Sequence, residues 1–142
     1  MRVRTFMIKE ANNLIPTIKN VFDDIFVLKK KVAIMKSEME FIREFWGKDL
    51  RDSDNPDSER HDKLIIEIEK MYKEIEKNIG NLQKHGCVVK DVDAGLVDFY
   101  SVVNNDLVFL CWRYGEKKIE YWHSIDGGFR GRRPITKIDK IE

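Results

Sequence analysis

The sequence predicts an α+β fold in which a long antiparallel helical hairpin of coiled-coil type precedes a small antiparallel β-meander. Three observations predict it. Leu14, Ile18, Val21, Ile25, Leu28, Val32, Met35, Met39, Ile42 and Trp46 follow one another at alternating steps of four and three residues. A second such series runs Ile65, Ile68, Tyr72, Ile75, Ile79, Leu82. At Gly86 the composition turns from Lys, Glu and Ile to Gly, Val and aromatic residues. The expected organisation is a hairpin over residues 1–86, with a polar loop at 47–63, and a sheet with a basic tail over 87–142, packed together as one structural unit.

Met1 to Met7 reads as an extended lead-in. The first series then dictates a helix, because steps of three and four keep one stripe turned toward a partner. From about Ile8 to Trp46 that helix would be roughly 58 Å long, too long for the rest of the chain to wrap. Ile18, Ile25 and Val32 at one seam position, with Leu14 and Leu28 at the other, favour two strands if the coil is parallel. Ile15, Phe22, Phe26, Ile34, Phe41 and Phe45 form a second apolar stripe, which asks for more than one neighbour. Pro16 either opens the helix near its first turn or kinks a helix begun near Ile8. Gly47 ends it.

Asn55-Pro56 is the expected start of the second helix, with Pro at its first position. Leu64 and Met71 broaden the apolar face. Lys84 and His85 suit the negative end of the helix dipole, and Gly86 supplies a left-handed cap. Beyond Gly86, an antiparallel meander of three to five short strands is expected, drawn from Cys87–Val92, Leu96–Val103, Leu107–Tyr114, Ile119–Ile125 and Phe129–Ile135. Asn104-Asn105-Asp106, Gly115 to Lys118 and Asp126-Gly127-Gly128 supply turns. Leu107–Tyr114 is nearly all apolar, so it belongs at the centre of the sheet, covered on both faces. A sheet this small is marginal by itself and must pack on the helices, on a partner subunit, or on both.

Lys and Arg total 26 against 25 Asp and Glu, a net charge of +1 that argues for neither nucleic acid nor an anionic membrane. A charged fraction of 36% suits long solvated helices. No apolar run approaches the ~20 residues that span a bilayer. Met1 to Lys9 lacks the apolar core of a signal peptide, so the expected location is the cytoplasm. Cys87 and Cys111 are too few and too far apart for a disulfide framework or a zinc ribbon. In a reducing compartment they read as two buried thiols.

Three groups in the second half carry the chemistry. The acidic segment Lys90 to Asp98 looks faintly like a calcium loop. Gly95 and Val102 fall where such a loop needs other spacing, so Asx turns at Asp91 and Asp93, with Asp98 paired to an Arg, are favoured. The strands holding Cys111, Trp112, Arg113, Glu116, Glu120, Trp122 and His123 offer a nucleophile–base–orienter set or zinc ligands, by residue type only. Against both, a Cys in an apolar strand behaves as a small hydrophobe, and His123 can simply bond an acidic side chain. Gly127 to Pro134 is the strongest hint. Its glycines allow close backbone approach, and Arg130, Arg132 and Arg133 present forked donors suited to phosphate or carboxylate, with Lys137 and Lys140 extending the basic tail. The bland alternative pairs these arginines with Asp91, Asp93, Asp98 or Glu116. The crowd of aromatics from Phe99 to Phe129 could stack bases but more often makes a core.

Phe6 to Pro16, Gly86 to Phe99, Leu110 to Glu116 and Tyr121 to Ile135 resemble the prokaryotic family catalogued as domain of unknown function 2203, over nearly the whole chain. Met7 stands where that resemblance leads one to expect a Thr or Ser cap. The family supplies no activity and no catalytic residues. It implies a stand-alone cytoplasmic protein and draws attention to Glu10, Asn12, Asp98, Trp112, Glu116, His123, Gly128, Gly131 and Arg132.

The leading expectation is a homo-oligomer assembled through its helices. It binds an anionic small molecule or nucleotide at the sheet end through Arg130, Arg132, Arg133, Trp112, Gly128 and Gly131. The alternative is a metal-assisted or acid–base hydrolase using His123, Glu116 and Asp98. RNA binding through the basic tail and aromatics comes third, because the net charge disfavours it. No metal ligand set is assigned, and no motif specifies a cofactor.

Overall fold

The computed structural model describes residues 3–137, 139 and 141. Lys140 of the expected basic tail, and Met1 and Arg2 of the lead-in, lie outside the described residues. The architecture is α+β: helix α1 (Ile8–Trp46), helix α2 (Ser58–Gln83) and a five-stranded antiparallel sheet. Its strands β1 (Val88–Asp91), β2 (Leu96–Val103), β3 (Asp106–Arg113), β4 (Tyr121–Ser124) and β5 (Arg133–Pro134) lie in sequential order. The chain forms two compact units, Met1–Phe22 with Ile79–Glu142, and Asp23–Asn78. No helix among the described residues is long and apolar enough to cross a membrane.

In the first unit the start of α1 covers one face of the sheet. Ala11, Ile15, Ile18 and Phe22 are buried, as are Val97, Phe99, Leu110 and Trp112. Phe22 meets Trp112 at 6.3 Å between ring centroids, and Phe6 meets Phe99 edge-on at 5.2 Å. The lead-in is tied down by backbone. Phe6 N–H donates to the Tyr100 carbonyl at 2.7 Å, and the Ser101 hydroxyl donates to the Phe6 carbonyl at 2.6 Å. α1 starts where Glu10 reaches back, its Oε1 accepting the Met7 N–H at 2.9 Å. That is half of a capping box, made without the Ser or Thr. Pro16 lies inside α1, not at its start. Having no N–H, it leaves the Asn12 carbonyl without its helical donor.

β3 is central, with Val108 to Trp112 all buried, as its apolar run requires. Asn104 and Asn105 have φ of 51° and 69°, the left-handed pair that closes a two-residue hairpin. The last predicted strand is shorter than expected. Gly128 adopts φ 64° and ψ −174°, the chain then makes a 3-10 turn over Phe129–Gly131, and only Arg133–Pro134 pair with β4.

In the second unit the helices pair within one chain. Ile25, Val32, Ile42, Leu64, Ile68 and Ile75 are buried between them. Arg60 grips Glu38 at two points, 2.9 and 2.7 Å, and the Trp46 indole N–H donates to Asp57 at 2.8 Å. Two expectations change here. α2 begins at Ser58 and not at Pro56, because Asn55 accepts the Asp57 N–H at 2.9 Å and holds a turn ahead of the helix. Its buried line also passes through Leu64, Ile68 and Ile75, leaving Tyr72 42% exposed. The second stripe of α1 divides: Ile15 and Phe22 are buried, while Ile34, Phe41 and Phe45 are exposed.

Candidate functional site

Strand register decides which side chains meet. β2 sets Asp98 opposite Cys111, and β4 sets His123 opposite Phe109. Side chains alternate across a strand, so Asp98, Phe109, Cys111 and His123 share the face opposite Phe99 and Trp112. Asp98, Cys111 and His123 are all buried.

The hydrogen on the imidazole is dictated by its neighbours. His123 Nδ1 lies 2.7 Å from the Ser124 carbonyl oxygen, which only accepts, so Nδ1 carries a hydrogen. Nε2 then faces Asp98 Oδ2 at 3.1 Å. Two lone pairs do not meet at that distance unaided, so a proton carried by one partner joins them. Burial pushes the Asp98 carboxyl above the usual carboxylate range, against the pull of His123. Burial and then the Asp98 charge push the Cys111 thiol up to about 12, against the pull of Arg132. At neutral pH Cys111 is therefore a thiol, and the nucleophile role weighed from sequence lacks its thiolate.

Arg132 is anchored by Glu116 and by two aromatic rings. Its guanidinium donates to both Glu116 carboxylate oxygens, at 2.9 and 2.8 Å, and lies over the Tyr121 and Phe129 rings at 4.0 and 4.2 Å. Burial lowers its pKa, but the negative Glu116 and then Cys111 raise it, and the net shift is upward. The Cys111 sulfur lies within 4.8 Å of an Asp98 carboxylate oxygen.

A pocket of about 110 Å³ opens on this cluster, walled by Lys90, Leu96, Asp98, Cys111, His123, Ile125, Gly128 and Phe129. Two wider grooves, of about 460 and 610 Å³, have no buried ionisable side chain in their walls among the described residues. One ligand atom each from Asp98, Cys111 and His123 lies within 4.8 Å of the others, a spacing that can hold a metal ion.

The predicted site residues fall as follows. His123 and Asp98 are together. Asp98 pairs with His123 instead of the Arg expected from sequence, because register brings β4 and not the Arg segment beside it. Glu116 is engaged by Arg132 and by the Arg113 N–H. Gly128 lines the pocket, whereas Arg130 and Gly131 are exposed on the 3-10 turn. Arg133 lies over the Trp122 ring at 5.3 Å. Trp112 is on the far face, its indole N–H donating to the Glu116 carbonyl at 2.9 Å. Asp91 makes the expected Asx turn, accepting the Ala94 N–H at 3.0 Å. Sequence reasoning passed over Lys90, whose ammonium sits 4.5 Å from the Phe109 ring centre. It undervalued Cys111, which the two-residue turn at Asn104-Asn105 places opposite Asp98 by simple counting.

Residues 4–135 match the sequence profile of a family described as Uncharacterized conserved protein (DUF2203). The chain belongs to this family. No curated protein and no solved structure matches it. The residues that the resemblance picked out have physical jobs in the first unit. Glu10 caps α1, Asn12 accepts the Ile119 N–H at 2.8 Å, and Trp112, Glu116 and Arg132 tie the end of β3 to the Arg segment.

Proposed function

We propose that this protein is an oligomeric ligand-binding module, and that its ligand is a small anion held in the pocket beside β2, β3 and β4. The observation carrying this reading is the convergence of buried Asp98, Cys111 and His123 on a pocket of about 110 Å³ whose wall includes Lys90. Burying ionisable groups is costly unless they are paired, and perturbed groups gathered at a cleft are the physical signature of a site. Asp98 and His123 share a proton and sum to no charge, so Lys90 leaves the pocket positive. The volume suits a phosphate- or carboxylate-sized group and not a nucleotide, since pockets for larger ligands run to roughly 300–1,000 Å³. Assembly is supported by Val27, Ile34, Phe41 and Phe45. They stand at seven- and four-residue steps on one face of α1 and are 55, 64, 68 and 66% exposed. A cytoplasmic setting agrees with the balanced composition.

Thermal melting with phosphate, sulfate and small carboxylates tests the pocket. A saturable rise in Tm is expected for at least one anion, and Lys90→Gln should remove it. No rise with any anion, or one that Lys90→Gln leaves intact, would sink the reading.

The shared proton between Asp98 and His123 supports a second reading, an acid–base hydrolase. Turnover of simple phosphate or carboxylate esters that disappears in His123→Gln is its expected sign. No turnover above the buffer rate would end it.

A further inference from the structure

We propose that Asp98, Cys111 and His123 form a three-ligand site for a divalent transition-metal ion of the zinc class, with a fourth coordination position opening on the pocket. The inference rests on reading that pocket as the ligand site, and it names the group that would hold the anion there.

The donors are a carboxylate oxygen, a thiolate sulfur and an imidazole nitrogen, the three kinds that zinc accepts. They come from three adjacent strands, and their ligand atoms already lie within 4.8 Å of one another. Tetrahedral bonds of about 2.0–2.3 Å set donor atoms roughly 3.3–3.8 Å apart. The 3.1 Å between Asp98 Oδ2 and His123 Nε2 is therefore close to what an ion would impose. The imidazole is also turned the right way. Ser124 takes the Nδ1 hydrogen at 2.7 Å, which leaves the Nε2 lone pair aimed into the cluster. A ligating His characteristically gives its other N–H to a carbonyl or carboxylate in this manner.

The exchange balances. The metal ion enters, and two protons leave: the one shared by Asp98 and His123, and the Cys111 thiol proton. The two anionic ligands then offset the ion's charge, and Lys90 keeps the pocket positive. Three protein ligands with one open position is the arrangement of sites that bind an exchangeable group, whereas purely structural zinc sites are closed by a fourth residue.

Cobalt(II) titration of the chelator-treated full chain tests this, because a cobalt–thiolate bond gives near-ultraviolet charge-transfer absorption. Saturation at one ion per chain, with that absorption and with displacement by zinc, is expected. Cys111→Ser should abolish the absorption, and Asp98→Asn should weaken zinc binding by at least the roughly 10–100-fold that losing a supporting partner costs. Cys87→Ser should change neither. If Cys111→Ser does not fold, the wild-type absorption and its persistence in Cys87→Ser still decide. No charge-transfer absorption with excess cobalt, or its loss in Cys87→Ser, would overturn the site. Anion-induced stabilisation that persists in a chain taking up no metal overturns the ion and spares the pocket. Absence of both overturns both.

Discussion

His123 and Asp98 meet across β3, imidazole Nε2 to carboxylate Oδ2 at 3.1 Å, with side chains only 2% and 4% exposed. Substitution should treat the partners unequally. His123→Ala leaves a buried carboxyl without its partner and should cost about 3–5 kcal/mol. Asp98→Asn keeps a donor facing Nε2 and removes a charge that burial disfavours, so it should cost less than about 1 kcal/mol. Urea denaturation of the metal-free chain measures both. Equal losses would mean that the two groups do not share a proton.

The two-point bond between Arg132 and Glu116 predicts that Arg132→Lys is not a mild change. Lysine offers no fork and stacks poorly between Tyr121 and Phe129. A loss of about 1–3 kcal/mol is expected, with Arg130→Lys, on an exposed residue, within about 0.5 kcal/mol. Matching losses from the two would contradict the geometry.

Cys87 gives a pH dependence. Burial pushes its thiol from 9.0 up to about 11, and its S–H donates to the Leu82 carbonyl at 3.2 Å. A raised folded pKa means stability that is fully present below pH 9 and lost as pH climbs through about 11, because only the unfolded chain ionises easily. The contribution is on the order of 2 kcal/mol. Denaturation midpoints across that range should fall less steeply in Cys87→Ala than in wild type. An unchanged slope would mean that the buried thiol is not responsible.

Gly128→Ala should cost about 1–3 kcal/mol, since φ 64° with ψ −174° is a conformation that only glycine adopts readily. Gly131→Ala, with negative φ and open space where its Cβ would go, should stay within about 0.5 kcal/mol. Melting temperatures of the pair check the contrast, and a reversed order would refute it.

Phe41 and Phe45 stack at 6.2 Å on the exposed face of α1. If that face is the assembly surface, Phe41→Glu with Phe45→Glu should reduce the oligomer to monomer while leaving helicity unchanged. Light scattering and circular dichroism read the two quantities. A wild-type monomer, or an undisturbed oligomer in the variant, would sink the assembly reading.

Much of this fold is legible in the chain. Steps of three and four wrote both helices, glycines at 47 and 86 ended them, and β2 and β3 were bounded by turn residues, because these are local preferences of neighbouring residues. Even the facing of Asp98 and Cys111 can be counted back from the tight turn at Asn104-Asn105, five residues along each strand. The counting stops at Arg113. The irregular stretch before Tyr121 has no period, so nothing local says that His123 will face Phe109 and reach Asp98. Nor does any pattern say that Arg132 will choose Glu116 over Asp91, Asp93 or Asp98, all within its reach on paper. Nor does one separate Ile15 and Phe22, which the sheet buries, from Ile34, Phe41 and Phe45, which remain exposed. The sequence by itself determined the elements and their order, through periodicity and turn chemistry. Only the tertiary structure decided the site, because strand register across an aperiodic connection, and the burial that follows from it, choose which ionisable groups must share a proton.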